Sequence, residues 1–183
     1  MVSQLKVNEI VKQSGSNLTI GGSGDNIVLG SGATTSFGKI GQVVSTFKND
    51  AFGTSSSSMV DITGFSATIT PSSTSSKVLI MVCGGVSPGT AGHNVLLNLL
   101  RGSTSIGEGT DGSSSENFMF TNMAATSDVV LFGHNFLDSP STTSATTYKM
   151  QMASTSGTAM LNRRADTSAR KMGSSITLME VLP

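Results

Sequence analysis

The stretch that most restricts what this chain can fold into is Val78–Val86, an unbroken apolar run (VLIMVCGGV) entered from Lys77. Val78, Ile80 and Val82 alternate with Leu79, Met81 and Cys83, so a strand here is apolar on both faces. Such a strand is expected to be covered on both sides and to sit centrally in a sheet. Pro71 and a Ser/Thr run close it on one side, and Gly84, Gly85 and Pro88 on the other, leaving too little length for a helix.

The chain after residue 40 reads as shorter strands laid around this one. Gln42–Lys48, Met59–Ile62 and Phe65–Thr70 precede it. In the last of these, Phe65, Ala67 and Ile69 alternate with Ser66, Thr68 and Thr70, which predicts one wet face. His93–Arg101 carries Val95, Leu96, Leu99 and Leu100 at a spacing that also suits a helical stripe; the flanking Gly92 and Gly102 favour a strand. Thr104–Gly107, Phe118–Met123, Val129–Leu137, Tyr148–Ala153, Ala159–Asn162 and Ile176–Leu182 complete the series, the last apolar except at Glu180. Short strands, Gly/Ser/Pro turns and no clear helix predict an all-β fold, an antiparallel β-sandwich of jelly-roll type, over residues 41–183.

Residues 1–40 have a different texture. LKVNEIV, NLTI and NIVL are short β-type segments separated by Gly-containing turns. Leu5, Val7, Ile10, Leu18, Ile20, Ile27 and Leu29 are too few to make a core within one chain, and short hairpins are marginal in water. Sharing them among copies wound around one axis would bury them, so a β-repeat stalk or arm that self-associates as a homotrimer is expected here.

Composition excludes several functions. Lys+Arg and Asp+Glu balance at 11 each and charged residues are 12% of the chain, which removes the electrostatic footprint of a nucleic-acid or anionic-membrane binder. No stretch approaches the ~20 apolar residues of a membrane-spanning helix, and the N-terminus lacks a signal-peptide core. A soluble chain without an export signal is expected. Cys83 is the single cysteine, which forbids an internal disulfide; its place in the apolar run predicts a buried, inert thiol. With no Trp, the ten Met residues are expected to help fill the core.

Motifs for chemistry are absent. His93 and His134 fall in no metal-ligand spacing, and His134 is expected to be a hydrogen-bonded side chain on a strand face. No nucleophile elbow or phosphate-binding glycine motif occurs. Glu108, Asp111 and Glu116 cluster in EGTDGSSSE, where acids could serve a glycosidase or hold Ca²⁺; EF-hand spacing is missing and a solvated loop is favoured. Arg163 and Arg164, with Arg170 and Lys171, make the one basic patch. No catalytic residue, cofactor or metal site is assigned, and a non-enzymatic role is expected.

The segments LKVNEIVKQSGSNLTIGGSGDNIVLGSG, FGKIGQVVSTFKND, ITGFSATITPSSTSSKVLIMV, LLRGST and SSITLMEV resemble trimeric tail-fibre-type virion proteins of marine and cyanobacterial tailed phages. The resemblance implies a homotrimer with an N-terminal β stalk and a β-sandwich head. It implies a place on the virion, contact with other virion proteins through residues 1–40, and contact of head loops with a host cell-surface glycan or protein. Ser87–His93, Glu108–Glu116 and Arg163–Met172 are the candidate contact loops, with Glu108, Asp111, Glu116, Arg163 and Arg164 as candidate contact residues. Tail fibres commonly carry a longer docking domain than these 40 residues. Two placements therefore stay open, a short fibre or fibre tip and a capsid decoration protein that stabilises the head. A polysaccharide-degrading sandwich is the third reading.

Overall fold

A computed structural model describes residues 39–109 and 117–183. The stalk residues Leu5, Val7, Ile10, Leu18, Ile20, Ile27 and Leu29, and the loop acids Asp111 and Glu116, lie outside the described residues. The strands are β1 (Ile40–Lys48), β2 (Phe52–Thr54), β3 (Val60–Ile69), β4 (Lys77–Ser87), β5 (Asn94–Arg101), β6 (Thr104–Ile106), β7 (Met119–Asn122), β8 (Val130–Asp138), β9 (Thr146–Ser154), β10 (Ala159–Leu161) and β11 (Ser174–Val181). The fold is all-β, and the described ladders are antiparallel.

The topology follows one rule. Setting aside the three-residue strands β2, β6 and β10, eight of the eleven remain. The first pairs with the last (β1 with β11), the second with the seventh (β3 with β9), the third with the sixth (β4 with β8) and the fourth with the fifth (β5 with β7). This is one long hairpin rolled up so that successive pairs alternate between two sheets, a jelly roll. Sheet one runs β1-β11-β4-β8, with β10 and β2 continuing beyond β11 on the same edge of β4; sheet two runs β3-β9-β5, with β7 and β6 beside β5.

The core lies between the sheets. Val78, Ile80, Val82, Ile176 and Leu178 from sheet one meet Phe65, Ile69, Val95, Leu97, Leu99, Tyr148, Met150 and Met152 from sheet two. Met150 and Met152 are fully buried, filling space that aromatic residues would take in a Trp-containing sandwich. The two expected strands Met59–Ile62 and Phe65–Thr70 are one strand, β3, whose register slips between Asp61 and Ser66, where Gly64 has φ 76°. A left-handed glycine lets the strand bulge without ending it.

One expectation is overturned. β4 is central, held by β11 and β10 on one edge and β8 on the other, but it is covered on only one face. Val78, Ile80 and Val82 are buried, whereas Leu79 is half-buried and Met81 and Cys83 are exposed. Two layers bury one face of each sheet, and no described element lies over the outer face of sheet one. Cys83 is accordingly an exposed free thiol rather than a buried one, with its Sγ 3.2 Å from Ser175 Oγ.

Candidate functional site

The end of the sandwich where β4 finishes gathers several loops onto one buried hydroxyl. Ser87, the fully buried last residue of β4, donates from Oγ to the carbonyl of Thr126 (3.0 Å) and accepts from the amide of Ala165 (3.0 Å). It thereby pins the turn before β8 and the segment after β10 to the same spot. The loop after Ser87 packs backbone on backbone against the β9–β10 turn: a Cβ on Gly89 would stand 2.2 Å from the Thr158 amide nitrogen. Only glycine allows that approach.

The basic segment after β10 is fastened through Asn162, which is fully buried with φ 64°. Its side-chain Nδ2 donates to the carbonyls of Lys48 (2.9 Å) and Asp50 (3.1 Å), and its Oδ1 accepts from Ser174 Oγ. Its backbone amide bonds to Gly85 O and its carbonyl accepts from the Met172 amide, both at 2.9 Å. One residue thus ties the loop to β1, β4 and β11. Arg163 pairs with Lys171 across the base of this loop, and Arg164 forms a 2.5 Å ion pair with Asp166. Two of the three expected contact loops, Ser87–His93 and Arg163–Met172, therefore share one end of the molecule.

Glu108 stands elsewhere. It accepts a 2.8 Å hydrogen bond from Asn98 Nδ2 beside the middle of β5, while Arg163 and Arg164 follow β10 at the Ser87 end. The expected acidic cluster cannot be assembled from the described residues, because Asp111 and Glu116 fall outside them. His93 and His134 are exposed; the His134 ring meets Phe118 edge-on at 4.4 Å between centroids, so a ring contact stands where a hydrogen bond was expected.

The buried carboxylates are saturated by structural partners. Asp138, at the far end of β8, receives Arg101 Nη1 at 2.8 and 2.9 Å and the Tyr148 hydroxyl at 2.7 Å. Burial, followed by the bond to Asp138, pushes the Tyr148 hydroxyl well above its ordinary range. Glu180, buried in β11, accepts from the Ser72 amide and hydroxyl (2.6 Å each) and from Gln42 Nε2 (3.2 Å). Its burial raises the pKa, but those hydrogen bonds outweigh it and hold the carboxyl below its ordinary value. On the outer face of sheet two, Lys149 (2.6 Å) and Gln151 (2.7 Å) bind Asp61 and depress its carboxyl as well. Each of these groups is used up in holding strands together. Among the described residues no three His, Cys, Asp or Glu side chains are grouped to hold a metal ion.

The outer face of sheet one is different in kind. Its outward side chains form cross-strand rows: Val43–Met179–Leu79–Leu137, Ser45–Thr177–Met81–Asn135 and Phe47–Ser175–Cys83–Gly133. None of these is charged. Phe47 is 68% exposed and Leu131, just beyond the last row, 73%. Where Gly133 contributes no side chain the surface sinks into a hollow of ≈ 390 Å³ lined by Met81, Val82, Cys83, Gly133, His134, Asn135, Ser175 and Thr177. Of these residues, sequence reasoning assigned Leu79, Met81 and Cys83 to an interior. An apolar side chain carries the same signal whether its cover is its own chain or another molecule.

No family model matches the chain, and no curated protein matches it. Among solved structures it is similar to the D431N mutant of the VP2 protein of infectious bursal disease virus, in derived T=1 particles, with 14% identity and a TM-score of 0.38. The match covers 78% of this chain and 36% of that one, so the chain spans well under half of the length of VP2.

Proposed function

We propose that this protein is a non-enzymatic structural protein of a virus particle, a homotrimeric surface appendage of a tailed phage that touches the host cell. The observation that carries this reading is a jelly roll with two unlike surfaces. One sheet face is broad and largely apolar, with Lys77 as a charge at its end, suited to packing against protein. One end collects rigidly pinned polar and basic loops, suited to recognition. Jelly rolls recur in viral capsid and lectin domains. The contact loops are Ser87–His93 and Arg163–Met172, which meet at Ser87, and the ligand is a host-surface glycan or protein.

Two measurements on the phage test it. Peptides of this chain are expected in gradient-purified particles, and the purified protein is expected to compete with particles for adsorption to host cells. Replacing Arg163 and Arg164 with Ala is expected to weaken that competition. Its absence from particles would overturn the reading. If the protein instead binds empty capsids, raises their resistance to heat and leaves adsorption unchanged, it is a head decoration protein. Release of new reducing ends from host polysaccharide would make it an enzyme.

A further inference from the structure

We infer that the outer face of β1, β11, β4 and β8 is the surface through which copies of this chain pack against one another. The inference deepens the proposed self-association by giving it a location. Three observations select a second copy as the occupant.

The first is charge. The rows from Val43 to Leu137, Ser45 to Asn135 and Phe47 to Gly133 hold no ionisable group other than the Cys83 thiol. Two such faces meet without like-charge repulsion and without burying an unpaired charge. Lys77, exposed in the next row beside Val181, is a lone charge at the end of this face, so a partner recruited by charge would find little to pair with here.

The second is shape. Phe47 and Leu131 project from the face, and the hollow beside Gly133 sinks into it. Knob and hollow belong to the same surface, so each copy both offers and receives an apolar side chain around a rotation axis. The row Ser45–Thr177–Asn135 supplies hydrogen-bonding groups between the apolar rows, which keeps the contact directional.

The third is size. Four strands about 4.8 Å apart and three rows about 6.8 Å apart give a flat footprint of about 400 Å². That is half of the ~800 Å² per partner of a stable interface, and the exposed Ile40 and Leu131 extend it beyond the three rows. Among the described residues, six of the seven large exposed apolar side chains (Ile40, Val43, Phe47, Met81, Leu131 and Leu137) lie on sheet one, and only Phe120 lies on sheet two.

Cys83 sits within this face and is the chain's one thiol, so it reports on cover without any substitution. The test uses the full chain. Molar mass is measured by light scattering for the natural protein, for Leu131→Asp and for Phe120→Asp, alongside the rate of Cys83 reaction with a maleimide. The expected result is an oligomer for the natural chain and Phe120→Asp, and a monomer for Leu131→Asp that retains a cooperative melt. Cys83 is expected to react about tenfold or more faster in the monomer than in the oligomer, as mass action on a buried interface requires. An oligomer that survives Leu131→Asp with Cys83 freely reactive would overturn this placement and leave self-association standing. A natural chain that is monomeric would overturn self-association itself. If that monomer then bound capsids only with Leu131 intact, the face would belong to another virion protein.

Discussion

The Tyr148 hydroxyl donates a 2.7 Å hydrogen bond to Asp138 Oδ2, and this bond crosses from β9 in sheet two to β8 in sheet one. Arg101, on β5 of sheet two, completes the clasp by donating to both oxygens of the same carboxylate. Tyr148 is fully buried and Asp138 nearly so, so removing either partner strands the other away from water. Tyr148→Phe is expected to lower stability by about 1–2 kcal/mol and Asp138→Ala by about 3–5 kcal/mol. Urea unfolding midpoints at constant slope would measure both. A neutral Asp138→Ala would show that the sheets do not depend on this clasp.

Acid should loosen the opposite relationship, between Glu180 and the Ser72 turn. The folded-state pKa of Glu180 lies below its ordinary value, so the unfolded chain binds more protons in that interval. Its contribution is complete above the ordinary value of 4.5 and is lost as pH falls through the lower folded value. Asp61 is depressed by Lys149 and Gln151 and adds to the same acid loss. Glu180→Gln is expected to cost about 2 kcal/mol at pH 7. It should also flatten the decline in stability between pH 5 and pH 3, approximately the interval over which carboxylates titrate. Denaturant melts across that range would show an unchanged slope if Glu180 were already neutral in the folded state.

Asn162 carries both a left-handed backbone and side-chain bonds to Lys48, Asp50 and Ser174. Asn162→Ala forfeits the bonds and places a Cβ in an unfavourable conformation, for an expected loss of about 3 kcal/mol. Asn162→Gly forfeits the bonds alone and should be milder by about 1 kcal/mol. Thermal melts of the two variants would separate backbone from side chain. Equal losses would mean that the φ of 64° carries no cost here.

Self-association placed on the sheet face makes a prediction about the N-terminal segment. A chain shortened to begin at Gly38 is expected to keep the same oligomeric state as the full chain in light scattering. If shortening yields monomers, the apolar residues of 1–37 assemble the protein and the sheet face does not.

Much of this fold was legible in the strand pattern, because alternation at Phe65, Ala67 and Ile69 or at Tyr148, Met150 and Met152 needs only local information. What lay beyond reach was the identity of the cover. Leu79, Met81 and Cys83 have the composition of an interior, and only the two-layer architecture shows that they face outward. Which of the expected contact loops stand together was out of reach for a related reason. The approach of Ser87 to Ala165 joins positions 78 residues apart, and no periodicity encodes that. The polar hubs were equally silent, since Asn162 reads as turn chemistry and Asp138 as the end of a strand. Glu180 did leave a trace, as the one charge in an otherwise apolar terminal strand.

The rolled-hairpin pairing also sets the order in which the molecule can be made. β1 waits for β11, and β4 takes its longest partners from β8 and β11, both in the second half of the chain. A growing polypeptide therefore holds an unclosed β1 and β4 until Ser174–Val181 has left the ribosome. Non-local pairing of this kind is slow and leaves apolar strand edges open to aggregation in the meantime. A nascent chain that lacks β11 cannot join β1 to β4, so the four-strand outer face of sheet one does not yet exist in it.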